Sequence, residues 1–419
     1  MPASKSISNR ALVINAMSGN SEHPENLSRC DDTDVMVAAL RDMPYEINIK
    51  AAGTAMRFTT AFLSASPASG EHVITGTERM KHRPITVLVD ALKRLGASIE
   101  YVEETGFPPL RIRGRQLEGG HIDIPGNVSS QYISALLMAG PVMTKGLTLH
   151  LTGAIISRPY IDLTICTMKE FGAEAEWLDS ATIDVKPKPY SAVPFFIEND
   201  WSASSYWYEI MALMEKKSLM DSGDNGMSGI YGDKACKVVM PGLMDGSRQG
   251  DSAIRYIFSM LGVKTSFAEK VQLKPNTVTL QAQRRVLPRF DFDFINQPDL
   301  AQTVVVTTAL MGIPFRFAGL QTLRIKETDR IAALKKEMEK LGYILDDSVE
   351  GVLSWDGTRC APLDDIVIDT YEDHRMAMAF APAAIMFPGL KINNPEVVTK
   401  SYPTFWEDLK AAGFGVEEV

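Results

Sequence analysis

Apolar positions along this chain follow two rhythms. Residues three and four apart mark amphipathic helices, and short apolar runs bounded by Gly or Pro mark strands. In VLVDALKRLGASIEYV, Val87, Leu88, Ala91, Leu92 and Leu95 share one helical face, and Gly96 follows where a helix ends on a left-handed residue. The same succession of helix, Gly and strand-like run returns in LTICTMKEFGAEAEWL around Gly172, IRYIFSMLGVKTSFAE around Gly262 and IAALKKEMEKLGYILDD around Gly342. A weaker copy, FWEDLKAAGFGVEEV, holds Gly413. Between the helices lie the strand candidates HVITGT, GHIDIPG, TLHLTG and DIVIDTY. Repeats at roughly 70 to 90 residues are too long for a solenoid. They predict an α/β fold in which several copies of one small α/β unit are shared between two domains.

Two segments stand outside this rhythm. Residues 216–250, which include MDSGDNGMSGIYGDKACK, read as a long surface loop. Residues 377–390 form the most apolar run, but they are shorter than the about 20 residues of a bilayer span and carry Pro382 and Pro388, so they read as a buried core helix. Residues 1–6 have neither the apolar stretch of a signal peptide nor an Arg-rich amphipathic character. A mature, cytoplasmic protein without a membrane segment is therefore expected.

Charge and cysteine content narrow the classes further. A chain of 419 residues with a formal net charge of -9 does not have the cationic surplus of a nucleic-acid binder, so any anionic ligand must meet a local basic cluster. Cys30, Cys166, Cys236 and Cys360 lie far apart with no C-x-x-C spacing, which predicts neither a metal site nor a disulfide framework. Neither G-x-G-x-x-G nor G-x-x-x-x-G-K-[ST] occurs, which argues against a nucleotide-binding enzyme.

Candidate chemistry gathers at helix starts. Lys5-Ser6-Ile7-Ser8-Asn9-Arg10 puts hydroxyls and two cations ahead of the apolar ALVINAM, where backbone N–H groups and the helix dipole favour an anion. Ala52-Gly53-Thr54-Ala55-Met56-Arg57 and Gly126-Asn127-Val128-Ser129-Ser130-Gln131 repeat the arrangement. Arg83-Pro84 and Ser157-Arg158-Pro159-Tyr160 add cations beside a first-turn Pro. Later in the chain, residues 324–330 pack five charges into seven positions ahead of a helix. Asp299, Asp373-His374-Arg375 and Lys400 each sit just before an apolar or terminal helix.

Taken together, K-S-x-S-N-R, A-G-T-A-M-R, R-P, S-S-Q, S-R-P-Y, P-D, K-E-T-D-R, D-H-R-M-A-M and K-S-Y-P, in this order, resemble the EPSP synthase family, the enolpyruvyl transferases of the shikimate pathway. The resemblance implies two similar domains, each of three repeats of a small α/β unit, with helix N-termini facing an interdomain cleft. It places one domain at 4–197, on the shikimate 3-phosphate side, and the other at 1–3 and 198–419, completing the phosphoenolpyruvate site. It implies a monomer that needs no cofactor and no metal, and whose partners are these two small molecules. Lys5, Ser6, Arg10, Ser129, Ser130, Gln131, Ser157, Arg158, Tyr160 and Lys326 would hold shikimate 3-phosphate. Lys5, Gly53, Arg83, Gln131, Arg330, Arg375 and Lys400 would hold phosphoenolpyruvate, in a space that in this family also admits glyphosate. Asp299 would take a proton from the 5-hydroxyl and Glu327 would protonate the methylene carbon, with Lys326 as helper. Family members carry a strand before K-S-x-S-N-R, and the stretch Gln321-Thr322 lacks an Asn that some members use. The sister transferase acting on UDP-N-acetylglucosamine uses a Cys general acid, and no Cys here adjoins these motifs.

Overall fold

The computed structural model describes residues 1–20, 22–222, 236–272 and 274–418. The chain forms two compact units, a first of Ala3–Ile197 and a second of Met1–Pro2 with Glu198–Val419. Each has its own apolar core, built in the first around Leu12, Phe58, Leu92 and Leu136, and in the second around Trp201, Phe258, Val305 and Phe317.

One strand pattern recurs within both units. In the first, Glu46–Asn48, Glu71–Thr75, Leu110–Arg113 and Ser98–Tyr101 lie side by side in that order, and Gly120–Pro125, Leu147–Thr152, Thr182–Val185 and Ala175–Trp177 repeat it. The leading pair of each sheet is parallel and the other pairs are antiparallel. In the second unit, Phe290–Asp293, Phe315–Ala318 and Leu353–Trp355 begin the same way, and Val367–Ile368 with Lys391–Ile392 preserves only the parallel pair. A third sheet there, Lys237–Met244, Pro275–Val286 and Leu261–Phe267, is wholly antiparallel.

A parallel pair needs a crossover, here supplied by the helices Gly53–Ser64, Ser130–Ala139, Ala301–Leu310 and His374–Phe380. These helices are packed on every side, and all ten residues of Ala301–Leu310 are buried. The repeat of apolar face and terminal glycine marks the other set: Thr86–Arg94, Arg158–Glu170, Arg330–Lys340 and Phe405–Ala411. Each of those closes on a glycine with positive φ, 105° at Gly96, 84° at Gly172, 88° at Gly342 and 97° at Gly413.

Several expectations need correction. Residues 216–250 are not one loop: the helix Trp201–Ser222 runs through the beginning and the strand Lys237–Met244 occupies the end, while 223–235 lie outside the described residues. Aromatic and aliphatic side chains from Trp201 to Leu213 bury that helix in the core, and packing carries it past the polar residues that follow. The run 377–390 is not a single helix either, because His374–Phe380 gives way to a 3-10 turn, Ala381–Ile385, at Pro382. Gly262 likewise follows the end of a helix, Ile254–Met260, with φ 86°, but the strand Leu261–Phe267 begins at once, and the glycine lies at a shift of register between Leu261 and Val263. DIVIDTY yields a strand of two residues, Val367–Ile368. No helix is long and apolar enough to cross a membrane among the described residues.

Candidate active site

Apart from Lys5, Ser6 and Arg10, which precede the first strand, the candidate residues are positioned by the repeated strand pattern through a single rule. Gly53 follows Glu46–Asn48, Arg83 follows Glu71–Thr75, Ser129, Ser130 and Gln131 follow Gly120–Pro125, and Ser157, Arg158 and Tyr160 follow Leu147–Thr152. In the second unit, Asp299 follows Phe290–Asp293, Lys326, Glu327 and Arg330 follow Phe315–Ala318, Arg375 follows Val367–Ile368 and Lys400 follows Lys391–Ile392. Both strands of a parallel pair end at the same edge of their sheet, so each pair delivers two polar segments to one side. Sequence alone places these residues at helix starts; the parallel pairing is what groups them.

In the first unit, Ser4 rather than a later residue caps the opening helix, so Lys5, Ser6 and Arg10 lie within Lys5–Met17 and not in a turn before it. Lys5 Nζ meets Asp32 Oδ2 at 3.0 Å. Arg10 is buried, donating from Nε to Thr164 Oγ1 at 2.7 Å, from Nη1 to the Ser6 carbonyl at 2.9 Å, and from Nη2 to the Tyr160 carbonyl at 3.2 Å. Burial lowers its pKa to about 10, and in this structure it braces the Ser6 and Tyr160 segments from beneath.

Gly53 opens the helix Gly53–Ser64. A Cβ there would stand 2.8 Å from both Arg57 Nη1 and Arg83 Nη1, so two guanidinium groups close over a backbone that carries no side chain. Arg57, quoted in the A-G-T-A-M-R motif but given no role from sequence, is buried and donates to the Gly53 carbonyl at 2.9 Å. Among the described residues the Arg83 guanidinium has no hydrogen-bond or ion-pair partner. Ser129 caps Ser130–Ala139 by accepting from Gln131 N at 3.3 Å, while Gln131 Nε2 donates to Thr54 Oγ1 at 3.1 Å. Ser157 takes a left-handed conformation, φ 54°, at the cap of Arg158–Glu170, and Arg158 stacks 3.9 Å from the centre of the Trp177 ring.

The second unit holds a different arrangement. Arg330, with 1% of its surface exposed, reaches three carboxylates: Asp373 Oδ2 at 2.7 Å, Glu327 Oε2 at 3.0 Å and Asp299 Oδ1 at 3.2 Å. The Gln302 amide oxygen, in the orientation that satisfies it, accepts from Arg330 Nε at 2.9 Å. Arg375 Nη2 lies 3.0 Å from Asp299 Oδ2, Lys326 Nζ 3.4 Å from Asp299 Oδ1, and Lys400 Nζ 3.1 Å from Glu327 Oε1. Burial alone would raise the Asp299 carboxyl, but Arg375, Lys326 and Arg330 outweigh it and hold the group well below the usual carboxylate range. Burial likewise opposes the charge on Arg330, and Asp373, Glu327 and Asp299 reverse the effect, raising its pKa. Four cations thus surround three carboxylates. Asp373, Gln302 and Arg57 are the members that motif reading left without a role; their signal is visible only as contacts. Among the described residues no group of His, Cys, Asp and Glu could hold a metal ion.

A model of the family EPSP synthase (3-phosphoshikimate 1-carboxyvinyltransferase) matches residues 42–220 and 233–409. A 3-phosphoshikimate 1-carboxyvinyltransferase of Bacteroides fragilis is 55% identical over 418 residues, spanning 100% of this chain and 95% of that protein. One from Aliivibrio fischeri is 32% identical over 438 residues, spanning 98% and 95%. Among solved structures, EPSP synthase from Acinetobacter baumannii superimposes with a TM-score of 0.75 at 21% identity, covering 99% of this chain and 95% of the other. The enolpyruvyl transferase NikO from Streptomyces tendae does so with a TM-score of 0.67 at 16% identity, covering 100% and 95%.

Proposed function

The chain belongs to the EPSP synthase family, and from that premise we propose how its residues divide the reaction. The enzyme transfers the enolpyruvyl group of phosphoenolpyruvate to the 5-hydroxyl of shikimate 3-phosphate and releases phosphate, in the shikimate pathway of aromatic amino-acid biosynthesis. Shikimate 3-phosphate falls to Lys5, Ser6, Ser129, Ser130, Gln131, Ser157, Arg158 and Tyr160, with Arg10 holding the Ser6 and Tyr160 segments and Lys326 contributing from the second unit. Phosphoenolpyruvate falls to Gly53, Arg83, Lys5 and Gln131 together with Arg330, Arg375 and Lys400.

The observation that carries this reading is the interleaving of Asp299 and Glu327 with Lys326, Arg330, Arg375 and Lys400 at 3.0 to 3.4 Å. An ionised Asp299 held down by cations is a weak base. When the carboxylate and phosphate of the substrates draw Arg375 and Lys326 away, burial regains the upper hand and its basicity climbs as the 5-hydroxyl must be deprotonated. The alkoxide adds to C2 of phosphoenolpyruvate while Glu327, having taken up a proton, delivers it to the methylene carbon. Phosphate then leaves the tetrahedral ketal, taking the proton held on Asp299, as Glu327 takes one back from the new methyl group, and the surrounding cations stabilise the charge on the leaving group.

The decisive assay is phosphate release with each substrate alone and with both, for the unaltered chain and for Asp299→Ala and Glu327→Ala. Release that needs both substrates and collapses in the variants is expected. Tight shikimate 3-phosphate binding without release would make the chain a binding protein on the same fold. We also expect a monomer, which sedimentation showing a stable dimer would overturn.

A further inference from the structure

We propose that Tyr132 is a positioning residue for Arg83, fixing the phosphoenolpyruvate-binding arginine through the backbone beside it. This rests on the assignment of Arg83 to that substrate made above. Tyr132 follows Gln131 in the first turn of Ser130–Ala139, and its ring is buried, 8% exposed. Its hydroxyl donates to the carbonyl of Pro84 at 2.5 Å. Its ring lies 5.7 Å from the Arg57 guanidinium, which in turn reaches the Gly53 carbonyl.

The geometry explains why a buried phenol is needed here. Arg83 has no side-chain partner of its own among the described residues. Its direction is set by its backbone, and by the open space over Gly53 that its Nη1 enters. Residues 82–85 link the short helix Glu78–Lys81 to Thr86–Arg94, and the Tyr132 hydroxyl grips this link at the Pro84 carbonyl. In the same link, Arg83 N donates to the Met80 carbonyl at 3.0 Å and Ile85 N to the Gly106 carbonyl at 3.0 Å. Gln131 and Tyr132 thereby act as neighbouring clamps from one helical turn: Gln131 holds Thr54 beside Gly53, and Tyr132 holds Pro84 beside Arg83. A Phe would fill the same space and keep the ring against Arg57, but would leave the Pro84 carbonyl without this donor.

The test is Tyr132→Phe, assayed by steady-state kinetics in both substrates beside Arg83→Ala and the double variant. A hydrogen bond of ordinary net strength predicts a rise of about 3- to 10-fold in KM for phosphoenolpyruvate. KM for shikimate 3-phosphate should be unchanged and the melting temperature nearly so. In the Arg83→Ala background the Tyr132 change should add nothing, because the group it positions is gone. Equal rises in both KM values, or an effect that adds fully to Arg83→Ala, would overturn the proposal and leave Tyr132 as packing. If Arg83→Ala itself leaves KM for phosphoenolpyruvate unchanged, the site assignment fails first, and the positioning role falls with it.

Discussion

The two units present their candidate anion-binding groups differently. In the first, Lys5 pairs with Asp32, but Arg83 has no protein partner among the described residues and is accompanied by hydroxyls, a bare glycine and helix N-termini. In the second, Lys326, Arg330, Arg375 and Lys400 each already sit on a carboxylate. A free cation binds an arriving anion at once, whereas a paired one must change partner. That exchange couples ligand binding to the basicity of the carboxylate left behind. The first arrangement suits recognition and the second suits proton transfer.

The strongest way to break this comparison is Asp299→Asn. If Asp299 is the base, as proposed, its loss should lower turnover by about 10²- to 10⁴-fold while shikimate 3-phosphate still binds, as calorimetry would show. A variant within a few-fold of the parent would move the proton transfer elsewhere. Next in size is Arg330→Met, which takes the guanidinium from the fully buried Asp373, while Asp299 keeps Arg375 and Lys326 and Glu327 keeps Lys400. Breaking such a buried cluster costs about 3–5 kcal/mol, measurable by denaturant unfolding of the whole chain. A loss below about 1 kcal/mol would mean that the cluster is looser than its distances suggest.

The carboxyl groups of the second unit offer a sharper contrast through pH. Glu198, where the chain passes from one unit to the other, is 4% exposed, and burial raises its pKa from 4.5 to about 7 although Ser247 donates to it at 2.8 Å. Its folded value lies above its unfolded one, so its contribution is fully present below about pH 4.5 and is lost as pH rises through about 7. Each tenfold gain in proton affinity on folding is worth about 1.4 kcal/mol, so this group alone makes the fold roughly 3 kcal/mol more stable in acid than well above pH 7. Glu198→Gln should flatten that decline in a stability-against-pH series, and an unchanged slope would rule it out. Asp299 runs the other way: its folded pKa is depressed, so its contribution is present above the unfolded value of about 3.9 and disappears only in more acid solution.

The smallest effect probes the first unit. Gly53→Ala puts a methyl 2.8 Å from Arg57 and Arg83 and must turn Arg83 aside. KM for phosphoenolpyruvate should rise by about tenfold, with shikimate 3-phosphate and thermal stability little changed. Parallel losses for both substrates would show that the glycine serves the fold rather than the ligand.

The helices Thr86–Arg94, Arg158–Glu170, Arg330–Lys340 and Phe405–Ala411 were legible in the sequence because each has one apolar face and a terminal glycine that only a left-handed turn explains. The candidate site residues stand out in the sequence as polar clusters at helix starts and as one ordered set of motifs. The crossover helix Ala301–Leu310 gave a weaker periodic signal, since burial on every side erases periodicity, and the helix beyond Leu213 gave none, since its extension into polar residues depends on what precedes it.

Local chemistry in the chain therefore determined where helices stop, which segments carry anion-binding groups and which family they resemble. Tertiary structure alone decided which strands run parallel, and so which polar segments emerge at one edge. It also decided that Arg330 lies among three carboxylates and that Tyr132 reaches Pro84, because contacts between residues tens of positions apart leave no mark on local pattern.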